Sequence, residues 1–197
     1  MSFSTVTRWA SLAVVLTASA LGGCKKDTPS PPSGPVTPNP AQYGTPFAGV
    51  PDPQDAVIYQ VNMRAFSANG NFAGVTARLD SIKKLGANVV YLMPIYPVGV
   101  ARGVNSPYAV KDYSEVNPEF GTLADLRTLV DAAHARGLSV MLDWVANHTS
   151  WDNAWVTQHK DWYQQDASGN IISPPNTNFT DVAQLNFSNS AMRLAMK

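Results

Sequence analysis

Cysteine is nearly absent: Cys24 is the one thiol in 197 residues, so no disulfide can close within the chain. Histidine is scarce as well. His134, His148 and His159 are scattered, and no Cys/His cluster has zinc spacing. An excess of either charge is missing too, since 14 Lys and Arg offset 14 Asp and Glu and the formal net charge is zero. That removes the electrostatic case for a nucleic acid or another polyanion as partner. No apolar run is long enough to span a bilayer comfortably. What is present is a hydrophobic content of 45%, ordinary for a globular domain, and 15 prolines that lie largely toward the front.

The front itself reads as a leader rather than as structure. Arg8 supplies a positive charge, residues 9–21 are apolar or small, and Leu21-Gly22-Gly23-Cys24 follows, so residues 1–23 are expected to be a secretion signal. The four residues ending in Cys24 resemble the lipobox of bacterial lipoproteins. That resemblance implies lipidation of Cys24 and a membrane partner held through the lipid anchor, which would place the protein in the cell envelope outside the cytoplasm, at the outer membrane or in the periplasm. Residues 24–54 are rich in Pro, Ser, Thr and Gly and cannot bury enough surface to offset their ordering entropy, so an extended linker is expected there.

From residue 55 the pattern becomes that of an alternating α/β chain. Residues 55–66 open with an apolar run suited to a central strand and place Gln60, Asn62 and Arg64 toward its tip. After a turn-forming stretch, Val75, Leu79, Ile82 and Leu85 recur at helical spacing, and Gly86 stands where a helix C-terminus wants a left-handed residue. Residues 88–94 are a second buried strand closed by Pro94. A loop over 95–121 is too long for a mere connection, and loops of that length are usually functional. Thr122 and Asp125 then make a helix-start signature, with Leu126, Leu129, Val130 and Ala133 on one apolar face and Gly137 at the end. Strand and helix alternate, so a parallel sheet with right-handed crossovers is the natural fold.

Residues 138–148 are the centre of the chain. A short buried strand delivers Asp143, Asn147 and His148 at its end, and in parallel α/β folds the carboxyl ends of strands carry the chemistry. Trp151, Trp155, Trp162 and Tyr163 follow in an excursion from the alternating pattern and read as its packing. A further helix is expected to start at Ser188 or Asn189.

Six stretches agree in order and spacing with one family. These are Ile58-Tyr59-Gln60-Val61-Asn62-Met63-Arg64-Ala65-Phe66-Ser67, Gly70-Asn71-Phe72-Ala73-Gly74, Leu92-Met93-Pro94-Ile95, Pro107-Tyr108 with Asp112-Tyr113, Val116-Asn117-Pro118-Glu119-Phe120-Gly121-Thr122, and Asp143-Trp144-Val145-Ala146-Asn147-His148. Together they resemble the α-amylase family of glycoside hydrolases. The resemblance implies that residues 55–197 are the amino-terminal part of a TIM (β/α)8 barrel, its first three strands plus the inserted domain B at about residues 149–186. It further implies that Tyr108 stacks on the sugar ring at the cleavage point, that His148 hydrogen-bonds a hydroxyl of that sugar, and that Asp143 orders the neighbouring groups. Asn147 corresponds to a calcium ligand, acting through its amide oxygen. Where the family usually has an acidic residue near the end of domain B, this chain has Gln184.

The expected activity is hydrolysis of α-glucan oligo- or polysaccharides with retention, which needs two carboxyl groups about 5 Å apart. The family carries its nucleophilic aspartate, its glutamate acid and a stabilising aspartate on strands four, five and seven. A full barrel takes roughly 250 residues, so this segment is expected to be inactive alone and poorly stable, with an unpaired sheet edge. Two alternatives share every residue visible here: a non-catalytic carbohydrate-binding surface lipoprotein, and a transglycosylase or isomerase of the same family.

Overall fold

The structure is a computed structural model that describes residues 45–197. The expected signal segment, Cys24 and linker residues 24–44 lie outside the described residues. The last linker residues belong to the folded part. Phe47 stacks on His134 with ring centroids 4.0 Å apart and planes 1° apart, and Ser139 Oγ donates to the Gly49 carbonyl.

The centre is a parallel sheet of three strands in sequence order, β1 (Ile58–Val61), β2 (Val89–Leu92) and β3 (Ser139–Leu142). Ile58 stands opposite Val89 and Val89 opposite Ser139, so the three strand starts are level. Asn88 staples the entry to β1. Its Oδ1 accepts from Val57 N–H at 2.7 Å and its Nδ2 donates to the Asp55 carbonyl at 2.8 Å.

β1 ends earlier than its apolar run predicts. Met63–Phe66 is a helical turn, α1, because the Asn62 side chain accepts from Arg64 N–H and turns the backbone out of the ladder. The single helix expected around Val75 to Leu85 is two short ones, α2 (Phe72–Thr76) and α3 (Leu79–Lys84), separated at Arg78, whose φ of −113° and ψ of 5° leave the helical region. Phe72, Val75, Leu79 and Ile82 are buried, whereas Leu85 is 70% exposed. Leu85 stands at the C-cap, where the chain leaves the helix toward Gly86 (φ +86°), and so it misses the core.

The second crossover runs through α4 (Leu123–His134). Thr122 Oγ1 accepts from Asp125 N–H and Asp125 Oδ2 accepts from Thr122 N–H, a reciprocal cap that contributes about 1 kcal/mol. Leu126, Leu129 and Ala133 face α2 and the sheet. Among the described residues only β2 is paired on both sides. Ile58 on β1 and Met141 and Leu142 on β3 are exposed, as an edge position implies.

Beyond β3 the chain enters a second, smaller core. A two-stranded antiparallel ribbon, β4 (His148–Ser150) with β5 (Val182–Gln184), frames it. The helical turn α5 (Trp155–Gln158) and helix α6 (Ser190–Ala195) pack against it. Trp155 and Trp162 meet edge to face at 5.1 Å and Tyr113 leans on Trp155 at 5.5 Å, so these tryptophans are packing. Asn189 caps α6 by accepting from Ala191 and Met192 N–H.

Candidate functional site

The site lies at the carboxyl end of the sheet. Asp143 directly follows β3 and continues the ladder by donating from its N–H to the Leu92 carbonyl, at 3.0 Å. Tyr108 reaches it from the long loop: its Oη donates to Asp143 Oδ2 at 3.2 Å. The Asp143 carboxylate, together with partial burial, pushes the phenol of Tyr91, on β2, up to about 12. Burial first, then the Asp143 charge, raises Tyr108 and Tyr96 as well. All these phenols therefore keep their protons at neutral pH, and that of Tyr108 is donated to the Asp143 carboxylate.

The loop that presents Tyr108 is ordered by strong contacts. Arg64 makes a two-pronged bond to Glu119, from Nε at 2.9 Å and Nη2 at 2.8 Å, while Nη1 donates to the Asn105 carbonyl and Nη2 also to the Asn105 side-chain oxygen. Asn105 has φ +58°, a conformation asparagine tolerates better than most residues. Val98 pairs with Val110, and Ser150 N–H donates to the Val110 carbonyl, tying the loop to β4. Gly99 runs against Ser150 and Asp152, where a Cβ would collide with both side chains.

His148 is half-buried at the start of β4. Its Nδ1 lies 3.1 Å from Asn147 Nδ2 and its Nε2 lies 3.2 Å from the Tyr108 carbonyl. An amide NH2 only donates, so Nδ1 must accept, and Nε2 carries the proton and donates to the carbonyl. Tyr113 Oη sits 2.7 Å from the Val145 carbonyl and 2.8 Å from that of His148, fixing the turn between β3 and β4 from behind.

Burial holds the His148 pKa below its ordinary value, against the opposing effects of the Tyr108 carbonyl and the Asp181 charge. A histidine depressed by folding binds its proton more readily in the unfolded chain. Its contribution to stability is therefore full above the unfolded value, near 6.5, and declines as the pH falls through that value toward the folded one. A thermal midpoint that drops between pH 7.5 and 5.5, with a shallower drop in His148→Gln, is expected from a pH series of melts. Equal slopes in the two proteins would refute it.

Tyr108 and His148 line one cleft of about 260 Å³ together with Ser106, Phe179, Asp181 and Val182. Asp143 stands behind the Tyr108 hydroxyl. Phe179 and Asp181 come from the turn-rich segment before β5, which has no periodic signal, and Val182 is the first residue of β5. The segment is held in place by Trp151 Nε1, which donates to the Thr180 carbonyl at 3.0 Å. Tyr91 had a visible signal, a hydroxyl inside an otherwise apolar strand.

Calcium at Asn147 does not fit the residues present. Asn147 Oδ1 accepts from Gln184 Nε2, and Asn147 Nδ2 donates to Gln184 Oε1, both at 3.2 Å. Among the described residues no three His, Cys, Asp or Glu side chains gather closely enough to hold a metal. A hard cation wants several free oxygens, at least some of them charged.

Comparison with known proteins agrees with this geometry. A family profile described as Alpha amylase, catalytic domain, matches residues 39–191. The chain is 38% identical over 110 residues to probable oligo-1,6-glucosidase 2 of Bacillus subtilis (strain 168), covering 53% of this chain and 19% of that protein. It is 42% identical over 102 residues to an alpha-glucosidase of Pediococcus pentosaceus, covering 49% and 18%. Among solved structures, an alpha-amylase from Lactobacillus plantarum superposes with a TM-score of 0.69 at 42% identity, over 73% of this chain and 34% of that one. The chain thus spans about a fifth of the length of these curated relatives. With the family profile covering the whole parallel sheet and both sides of the cleft, the chain belongs to the alpha-amylase catalytic-domain family, and its three strands are part of that family's TIM barrel.

Proposed function

We propose that this chain supplies the sugar-positioning part of a retaining glycoside hydrolase acting on α-glucosides. The observation that carries the reading is the meeting of Tyr108 and His148 on one cleft, with the Tyr108 hydroxyl tied to Asp143. A pyranose has an apolar face and a rim of hydroxyls. The Tyr108 ring offers the first a flat partner, and the His148 Nε2–H, which now rests on a backbone carbonyl, is a donor a sugar oxygen can take over. Asp143 holds the Tyr108 hydroxyl and so sets the tilt of the ring.

The chemical step needs two carboxyl groups flanking the glycosidic bond, one attacking the anomeric carbon and one protonating the leaving oxygen. Asp143 accepts from the Tyr108 hydroxyl, and its work here is orientation. What these residues do is bind and align the ring at the cleavage point. Calorimetric titration of the full chain with methyl α-D-glucoside, and with methyl β-D-glucoside as the control, tests the reading. Saturable binding of the α-anomer with a clear preference over the β-anomer is expected; no binding of either would refute it.

A further inference from the structure

Gln184 is only 8% exposed, and every polar atom of its side chain is engaged. Around its Nε2 stand three carbonyl oxygens, those of the Asn147 backbone at 3.0 Å, the Asn147 side chain at 3.2 Å and the Leu185 backbone at 3.2 Å. Such a setting accepts only a donor, so the orientation of the amide is fixed, with Oε1 turned to Asn147 Nδ2. The two amides face each other as a reciprocal pair. The second proton of Asn147 Nδ2 goes to His148 Nδ1. Gln184, Asn147, His148 and the Tyr108 carbonyl therefore form one directed row of hydrogen bonds, each link setting the donor and acceptor sense of the next.

The pair also occupies the junction where β3 passes into the ribbon. Asn147 precedes β4, Gln184 ends β5, and the Leu185 N–H donates to the Asn147 carbonyl at 3.1 Å, closing the same corner. A carboxylate at position 184 would be a buried charge beside carbonyl oxygens and would need a cation to be tolerated. An amide satisfies the same oxygens with its own N–H groups and needs none.

We propose that the Asn147–Gln184 amide pair stands in place of a divalent cation at this corner, and that Gln184, acting through Asn147, is a positioning residue that fixes His148 with its proton on Nε2. The corner is then complete without metal. Its two oxygens are spent on each other, so calcium gains nothing by entering. The tautomer of His148 follows from the pair and holds whether or not the cleft takes a sugar, so this inference and the proposed function can fail separately.

Two sets of measurements on the full chain, made without sugar, test it. Thermal melts in EDTA and in millimolar calcium should superimpose for the wild-type chain. Gln184→Asp, which puts an acid beside the freed Asn147 oxygen, should acquire a calcium-dependent rise of about 5 °C or more at saturating metal. A wild-type midpoint that rises with calcium, and loses that rise in Asn147→Ala, would overturn the proposal. The second set reads the imidazole nitrogens by 15N NMR in EDTA at alkaline pH. The wild-type chain should show His148 protonated at Nε2. Asn147→Asp replaces the donor to Nδ1 with an acceptor and should move the proton to Nδ1. Gln184→Met should give a mixture of the two forms. An unchanged His148 signature in Asn147→Asp overturns the positioning role even if Gln184→Met does not fold.

Discussion

Replacing Tyr108 by alanine is expected to weaken methyl α-D-glucoside binding by about 10- to 30-fold, the equivalent of ~1.5–2 kcal/mol of lost contact with one face of the ring. The side chain is 37% exposed and forms a wall of the cleft, so little of the fold depends on it. Its carbonyl, which receives the His148 proton, belongs to the backbone and survives the substitution. Tyr108→Phe separates two contributions. It keeps the ring and deletes the bond to Asp143, and so should cost less than alanine. Calorimetry on the three proteins gives the ordering wild type, phenylalanine, alanine. Alanine binding at wild-type strength would remove Tyr108 from the site.

The largest loss of stability is expected from Phe72→Ala. Phe72 is 0% exposed, sits at the start of α2, and meets Phe120 edge-on with centroids 6.1 Å apart. Its backbone N–H donates to the Phe120 carbonyl in either protein, so the substitution deletes packing alone. An aromatic-to-alanine change in a sealed core costs about 3–5 kcal/mol, against the roughly 5–15 kcal/mol that holds a typical domain. A chain whose sheet has two edge strands among the described residues has little to spare. Urea denaturation should show the midpoint falling steeply, or the native baseline disappearing. Leu85→Ala is the control: 70% exposed, it should fall within about ±0.5 kcal/mol of wild type. Equal losses at the two positions would contradict the placement of the helix break.

These two positions also show how far local pattern reaches. Val75, Leu79, Ile82 and Leu85 share one spacing in the sequence, yet the chain breaks at Arg78 and the last of them is left in solvent at a cap. Periodicity records which face a continuous helix would bury. It cannot record that a helix stops. The alternation of strand and helix, the Thr122–Asp125 cap and the glycines Gly86 and Gly137 after α3 and α4 were readable because they depend on neighbours a few residues away. Tyr108, Asp143 and His148 were named from motifs, and the structure brings them into contact over 35 and 40 residues of chain. Phe179, Asp181 and Val182 were not named. They enter the cleft only because β5 pairs back onto β4, a long-range event with no trace in the composition of a turn-rich segment. Phe47 escaped for a similar reason, since its partner His134 is the last residue of α4, beyond both β1 and β2 in the chain.

The arrangement of the central sheet has a bearing on how the chain acquires it. Each strand lies beside the one made just before it, β2 on β1 and β3 on β2, with the strand starts level. A polypeptide emerging from the ribosome can therefore add β2 to β1 and then β3 to β2, each new strand meeting a partner already synthesised. Growth by accretion along one direction spares the nascent chain the intercalation of a late strand between two early ones.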